Sequence, residues 1–223
     1  MKRFFCFLTV GVICGVPASV WAGPYLQIQF GPSWPGDICE NAPEGRRVAL
    51  EAGGKAGSLF GDVAALGLAV DVLWNKSIED STWEEENDGR MIQRVEENKV
   101  ERWIMFPASF FVTIDPLPGL IVRPAVTGQI GLNMMVYANR EWIGTAESGD
   151  WQKTSDSGFY PGLYGKLSFD AIANLGTDAV GAMLGLSYQW CRPRRRVEDS
   201  RNVYTRKDMS GVGIHAGLRF SVL

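Results

Sequence analysis

Chemistry in this chain would have to come from very few residues. His215 is the only histidine among 223 residues, so any hydrolytic site with an imidazole base must be built around it. Asp71 and Asp170 are the carboxylates that an acid-base pair would use. Cys39 and Cys191 offer a disulfide or two thiols; two Cys with no second His nearby make no metal site, and no cofactor is called for. Two charge clusters remain. One is acidic, with Glu79, Asp80, Glu84, Glu85, Glu86, Asp88, Glu96 and Glu97. The other is basic, with Arg192, Arg194, Arg195, Arg196, Arg201, Arg206 and Lys207. Clustered guanidinium groups attract phosphate and sulfate bidentately, which makes the basic segment a candidate polyanion site. The competing reading is that it is solvated or pairs with the acidic segment.

What these residues can do depends on the elements that place them, and the first element is not part of the fold. Lys2 and Arg3 precede an apolar stretch from Phe4 to Val16, followed by Pro17 and the exit Val20-Trp21-Ala22. That is the pattern of a secretory signal cleaved after Ala22. Residues 1–22 are therefore read as signal peptide and 23–223 as one domain. Removing Lys2 and Arg3 takes the formal charge from −3 to −5, a balance that gives no signature of nucleic-acid binding.

No mature segment reaches 18 consecutive apolar residues, so no transmembrane helix is expected. Period two dominates instead. It begins with Leu26, Ile28 and Phe30 against Gln27 and Gln29, then Val48, Leu50 and Ala52 against Arg47, Glu51 and Lys55. It continues through Leu66 to Trp74, Ile104 to Val112, Val122 to Met134, Leu163 to Ala171, Val180 to Tyr188 and Val212 to Val222. Each stretch has the length that a tilted strand needs to cross a bilayer. The alternation counts at least eight strands and leaves ten open, because the long connectors can carry hairpins well above a membrane.

Connector lengths alternate along the chain. Gly57 to Gly61, Asp115 to Gly119 and Asn174 to Asp178 are short turns rich in Gly, Pro, Asn and Asp. Ser33 to Arg46, Ser77 to Lys99, Asn139 to Ser157 and Arg192 to Ser210 are long and polar. Within the second of these, Asn87-Asp88-Gly89 suits the tip of an extended hairpin, while Met91, Ile92 and Val95 would also suit a short helix. The whole predicts an all-β fold: an eight-stranded antiparallel up-and-down transmembrane barrel with short periplasmic turns and long extracellular loops. Trp34, Trp74, Trp103, Trp142 and Trp190 fall near the strand ends that face the long loops, where an aromatic girdle is expected.

The polar face of the strands carries Arg47, Glu51, Lys55, Asp71, Arg123, Lys166, Asp170, His215 and Arg219. So many charges cannot face lipid at a cost of about 2–4 kcal/mol each. They are expected to face inward and pair into a plug, since eight strands enclose a space that side chains can fill. The same topology puts Cys39 and Cys191 at one rim, where an oxidising compartment favours a disulfide between them.

With these features in place, the chain resembles the small outer-membrane β-barrel family, the OmpA-type transmembrane domain and its OmpX/Ail-like relatives. The resemblance rests on the leader, the eight alternating strands, the hairpin from Phe106-Pro107-Ala108 to Arg123-Pro124-Ala125-Val126-Thr127-Gly128, and the ending Gly213 to Leu223. One departure is that family members usually end on an outward aromatic, whereas this chain ends on Val222-Leu223. The resemblance implies a bacterial outer-membrane location, a monomer, assembly by the barrel-assembly machinery, and outer-membrane lipid and lipopolysaccharide as surroundings. It implies an architecture more than an activity. A structural or adhesion-type surface role, with an extracellular polyanion or host ligand and no catalysis, is the expected function. The alternatives are a lipid A or phospholipid-modifying enzyme and a narrow channel. The enzyme would need His215, which the alternation places in the lumen and which is followed two residues on by Gly217 and not Ser.

Overall fold

The structure, a computed structural model, describes residues 22–36, 48–61, 63–87, 91–145, 151–177, 179–196 and 204–221. Ten strands occur among them: β1 (Ala22–Pro35), β2 (Ala49–Phe60), β3 (Ala64–Asn87), β4 (Met91–Ile114), β5 (Val122–Thr145), β6 (Trp151–Thr177), β7 (Val180–Cys191), β8 (Arg194–Arg196), β9 (Tyr204–Arg206) and β10 (Gly211–Ser221). Eight of them close a ring in the order β1-β10-β7-β6-β5-β4-β3-β2, all neighbours antiparallel, and β8 and β9 form a separate two-stranded ribbon. The open choice between eight and ten strands is resolved as an eight-stranded barrel plus this ribbon.

Closure leaves the eight-stranded ring without a free sheet edge, so its ladders run from each strand to the next around the whole ring. The outward positions form an apolar belt. Leu26, Ile28, Phe30, Leu68, Val70, Phe110, Val112, Ile130, Leu132, Leu163, Phe169, Leu184, Leu186 and Ile214 are all exposed. In β3 the belt runs from Leu66 to Trp74, about 27 Å of strand at ~3.4 Å per residue, enough to cross a hydrocarbon core when tilted. A belt of this kind is stable in lipid and would not be in water.

The two ends of the barrel differ. At one, short turns join β2 to β3, β4 to β5 and β6 to β7, and Gly61 and Gly176 supply the positive φ (56° and 80°) that tight reversals need. The strands run further into these turns than their Gly content suggests, with β2 reaching Phe60 and β6 reaching Thr177. At the other end, Ser77 to Lys99 and Asn139 to Ser157 are mostly strand and not loop. The register between β3 and β4 runs unbroken from Leu73↔Met105 to Asn87↔Met91, which answers the choice between hairpin and helix in favour of the hairpin. Because β2 pairs no further up β3 than Leu50↔Trp74, and β7 pairs no further up β6 than Cys191↔Tyr164, strands β3 to β6 rise beyond the ring as a four-stranded wall. The ribbon stands beside it: Arg195 donates to Asp156 Oδ1 (3.2 Å) and to the carbonyl of Ser157 (2.8 Å) on β6.

Candidate functional site

Alternation along the strands sends one side chain in two into the barrel. Of the nine charges assigned to the interior, Glu51, Lys55, Asp71, Arg123, Lys166, Asp170, His215 and Arg219 are buried and point inward. Arg47 lies outside the described residues. Their partners are as informative as their burial.

Nearest the short turns, Arg219 donates through Nη1 to Asp115 Oδ2 (2.6 Å) and lies over the Tyr25 ring, 5.2 Å from its centroid. Tyr25 packs against Phe111 at 5.5 Å. Among the described residues Arg123 forms no ion pair within salt-bridge distance; its Nη2 donates to Asn174 Oδ1 at 3.0 Å. Half-way up, a chain of hydrogen bonds climbs the interior. The Tyr25 hydroxyl donates to Gln27 Oε1 (2.5 Å), Gln27 Nε2 to Gln29 Oε1 (3.1 Å), and Gln29 Nε2 to Glu51 Oε1 (3.1 Å). Glu51 pairs with Lys166, whose Nζ is also 3.8 Å from Asp71 Oδ2, and Asp71 accepts from the Tyr164 hydroxyl at 3.2 Å. On the facing strands His215 Nε2 lies 2.7 Å from Asp170 Oδ1. Lys55 Nζ is buried in the same layer and makes no hydrogen bond among the described residues.

Above these charges the interior turns apolar. Ala49, Leu73, Trp103, Met105, Met135, Tyr137, Tyr160, Tyr164 and Cys191 cluster together, and Met209, from the segment between β9 and β10, closes over them. One expectation needs correction here. Trp103 does not belong to the aromatic girdle: it is 3% exposed and faces inward. It shares its parity on β4 with Met105, Ser109 and Thr113, and that parity outweighs its height on the strand. Trp34, Trp74, Trp142 and Trp190 keep outward parity; Trp74 lies 6.4 Å from Phe30, and Trp190 lies 6.4 Å from Tyr188 and covers Gly165. Cys191, expected to be bridged to Cys39, is a buried free thiol in the apolar cluster; Cys39 lies outside the described residues. Its inward parity on β7 places the side chain in that interior cluster.

The basic segment is only partly available to a ligand. Arg195 is engaged by Asp156, Arg192 Nε bonds Asp208 Oδ2 at 3.1 Å, and Lys207 Nζ sits 4.3 Å from the centroid of Tyr137. Arg194 and Arg206 face each other across the ribbon and are exposed. Arg201 and the Arg196 side chain lie outside the described residues. Burial by itself would raise the Asp208 carboxyl, but hydrogen bonds from Ser210 and the Arg192 guanidinium outweigh it and hold the carboxyl below its ordinary range. Of the acidic stretch, Asp80 accepts from Asn98, and Asp88 lies outside the described residues, as do the side chains of Glu79 and Glu84 to Glu86.

Charge alone misses several interior residues. Tyr25, Gln27, Gln29 and Tyr164 carry inward parity and were visible by alternation. Asp115 reads as a turn residue, and only the closed ring brings it to Arg219, 104 positions away. Among the described residues there is no group of three or more His, Cys, Asp or Glu that could hold a metal ion.

No family model matches the chain, and no curated protein matches it in sequence. Among solved structures it is similar to Neisserial surface protein A, with 13% identity, 89% of this chain and 97% of that chain covered, and a TM-score of 0.41. It is similar to OprG from Pseudomonas aeruginosa, with 13% identity, coverage of 90% and 96%, and a TM-score of 0.43. It is also similar to Ail, the attachment invasion locus protein of Yersinia pestis, in complex with the heparin analogue sucrose octasulfate, with 9% identity, coverage of 90% and 97%, and a TM-score of 0.38.

Proposed function

We propose that this chain is an exported bacterial outer-membrane barrel, with a leader ending at Ala22, its short turns in the periplasm and its wall and ribbon outside, acting as a structural or adhesion-type surface protein and not as a pore or an enzyme. The observation that carries this reading is the filling of the interior at three levels. Arg219 with Asp115, Lys166 with Glu51 and Asp71 beside His215 with Asp170, and the cluster of Trp103, Met135, Tyr160 and Met209 stand one above another. An ion crossing the barrel would have to break paired, buried charges, each break costing about 3–5 kcal/mol. Reconstituted protein in a planar bilayer is expected to give no stable conductance steps; sustained open steps would refute the plugged interior.

The absence of catalysis is supported by His215, which is 2% exposed and held by Asp170, so no acyl chain outside the barrel can reach it. Lipid A mass spectra from cells with and without the protein should coincide. For binding, the ribbon carries Arg194 and Arg206 at the exposed surface, where an external polyanion can reach the basic segment. Replacing Arg194, Arg195 and Arg196 with Ser should lower retention on heparin, and unchanged retention would remove the ribbon as the site. Assembly by the barrel-assembly machinery and a monomeric state complete the proposal.

A further inference from the structure

The barrel carries a second cluster of cations, on its outside. Lys76 on β3 stands directly opposite Arg102 on β4. Arg102 is opposite Ala138, and Arg140 is the next outward residue of β5 beyond Ala138. All three are exposed, and their parity is that of Trp74, Ile104 and Val136, the top of the apolar belt. Lys76 and Arg102 therefore sit one pleat above the top of the belt, about 7 Å further along their strands, and Arg140 two pleats above Val136, about 14 Å.

Two like charges directly opposed on neighbouring strands destabilise a sheet, and here no carboxylate relieves them. Among the described residues none of the three makes an ion pair. The next acidic side chain up the same face of β3 is Asp80, four residues beyond Lys76 and already engaged by Asn98. The inner face of the wall, by contrast, bears Glu97, Glu101 and Glu141. An exposed stripe of cations with no ion-paired carboxylate among the described residues attracts anions at this height.

We propose that Lys76, Arg102 and Arg140 form a docking row for the phosphate groups of an outer-leaflet glycolipid, lipid A in chemical class. The row clamps the barrel's wall side to its lipid surroundings, and the inference rests on the outer-membrane reading above. Trp74, lodged against Phe30 below Lys76, supplies the apolar ledge for the glycolipid's acyl chains. Two guanidinium groups and an ammonium suit phosphate oxygens, the guanidiniums bidentately.

The test uses full-length protein folded into phosphatidylcholine vesicles doped with either phosphorylated lipid A or lipid A stripped of its phosphates, followed by detergent extraction and measurement of co-purified lipid A. Wild type should retain the phosphorylated form selectively. The triple variant Lys76→Ser, Arg102→Ser, Arg140→Ser should retain roughly a hundredfold less, whereas Lys99→Ser, which removes a cation from the opposite face of β4, should retain as much as wild type. Heat-modifiable gel mobility verifies that each variant folds, and single substitutions replace the triple variant if it does not. Equal retention by wild type and the folded row variant overturns the docking row, as does equal retention of the two lipid forms. Absence of wild-type protein from the outer-membrane fraction of cells would instead overturn the reading on which the row rests.

Discussion

His215 Nε2 and Asp170 Oδ1 meet at 2.7 Å inside the barrel because the strand between them contributes no side chain at that level. Gly185 on β7 is opposite both residues, paired with Asp170 on one side and His215 on the other. A Cβ at Gly185 would collide with Asp170 Oδ1 and stand 2.6 Å from His215 Nε2. Gly185→Ala is therefore expected to destabilise the barrel by about 1–3 kcal/mol, the usual cost of overpacking a filled interior. Urea titration followed by gel mobility of the folded form would measure it, and wild-type stability would mean that the pair moves aside freely.

Lys166 holds two carboxylates, Glu51 and Asp71, and is fully buried. Lys166→Met leaves both acids without their cation and should cost about 3–5 kcal/mol. Adding Glu51→Gln to Lys166→Met should recover part of that loss. A double variant less stable than the sum of its single variants would show that the pair is not the coupled unit its geometry describes.

The tryptophans divide into two populations by parity. Brominated lipid chains should quench Trp74 and Trp190, which face outward, and leave Trp103 emitting. Single-tryptophan variants read in vesicles test this directly. Trp103→Ala should also cost about 3–5 kcal/mol as an emptied interior site, while Trp190→Ala should cost clearly less.

Asp208 ties the segment after β9 to Arg192 and Ser210, and its carboxyl is depressed in the folded protein. A depressed carboxyl contributes stability above its unfolded value of about 3.9, and that contribution disappears as pH falls through the lower folded value. Hydrogen exchange across residues 204–211, corrected for intrinsic rates, should accelerate on acidification below about pH 4. Asp208→Asn should make exchange there already fast at neutral pH and flatten its response to acid. A parallel response in both proteins would remove Asp208 as the anchor.

The strands, their inward and outward faces and the asymmetry of the two ends were legible because each is local. Period two follows from backbone geometry, so Leu26 and Gln27 declare opposite faces with no knowledge of their neighbours. Where height on a strand was used in place of parity, the reading failed: Trp103 was assigned to the girdle although Met105 and Ser109 share its face. Proximity to a rim likewise does not state which way a sulfur points: Cys191 faces inward, and Cys39, its expected partner, lies outside the described residues. Within the long polar connector Ser77 to Lys99 the sequence leaves hairpin and helix both open, because a polar hairpin with no buried face imposes no alternation; the register decides for the hairpin.

By itself, the sequence determined that apolar side chains face lipid and charged ones face inward, because placing Arg or Asp against hydrocarbon costs more than any local preference returns. Only the tertiary structure decided which charges meet. Arg219 and Asp115, or Lys166 and Glu51, are more than a hundred residues apart, and their contact depends on the register of every strand between them and on closure by β1 and β10. The pairings of β3 with β4, β4 with β5 and β5 with β6 carry these strands beyond their neighbours and bring Lys76, Arg102 and Arg140 onto one face. Cross-strand register is set by all the pairings together, and no single strand contains it.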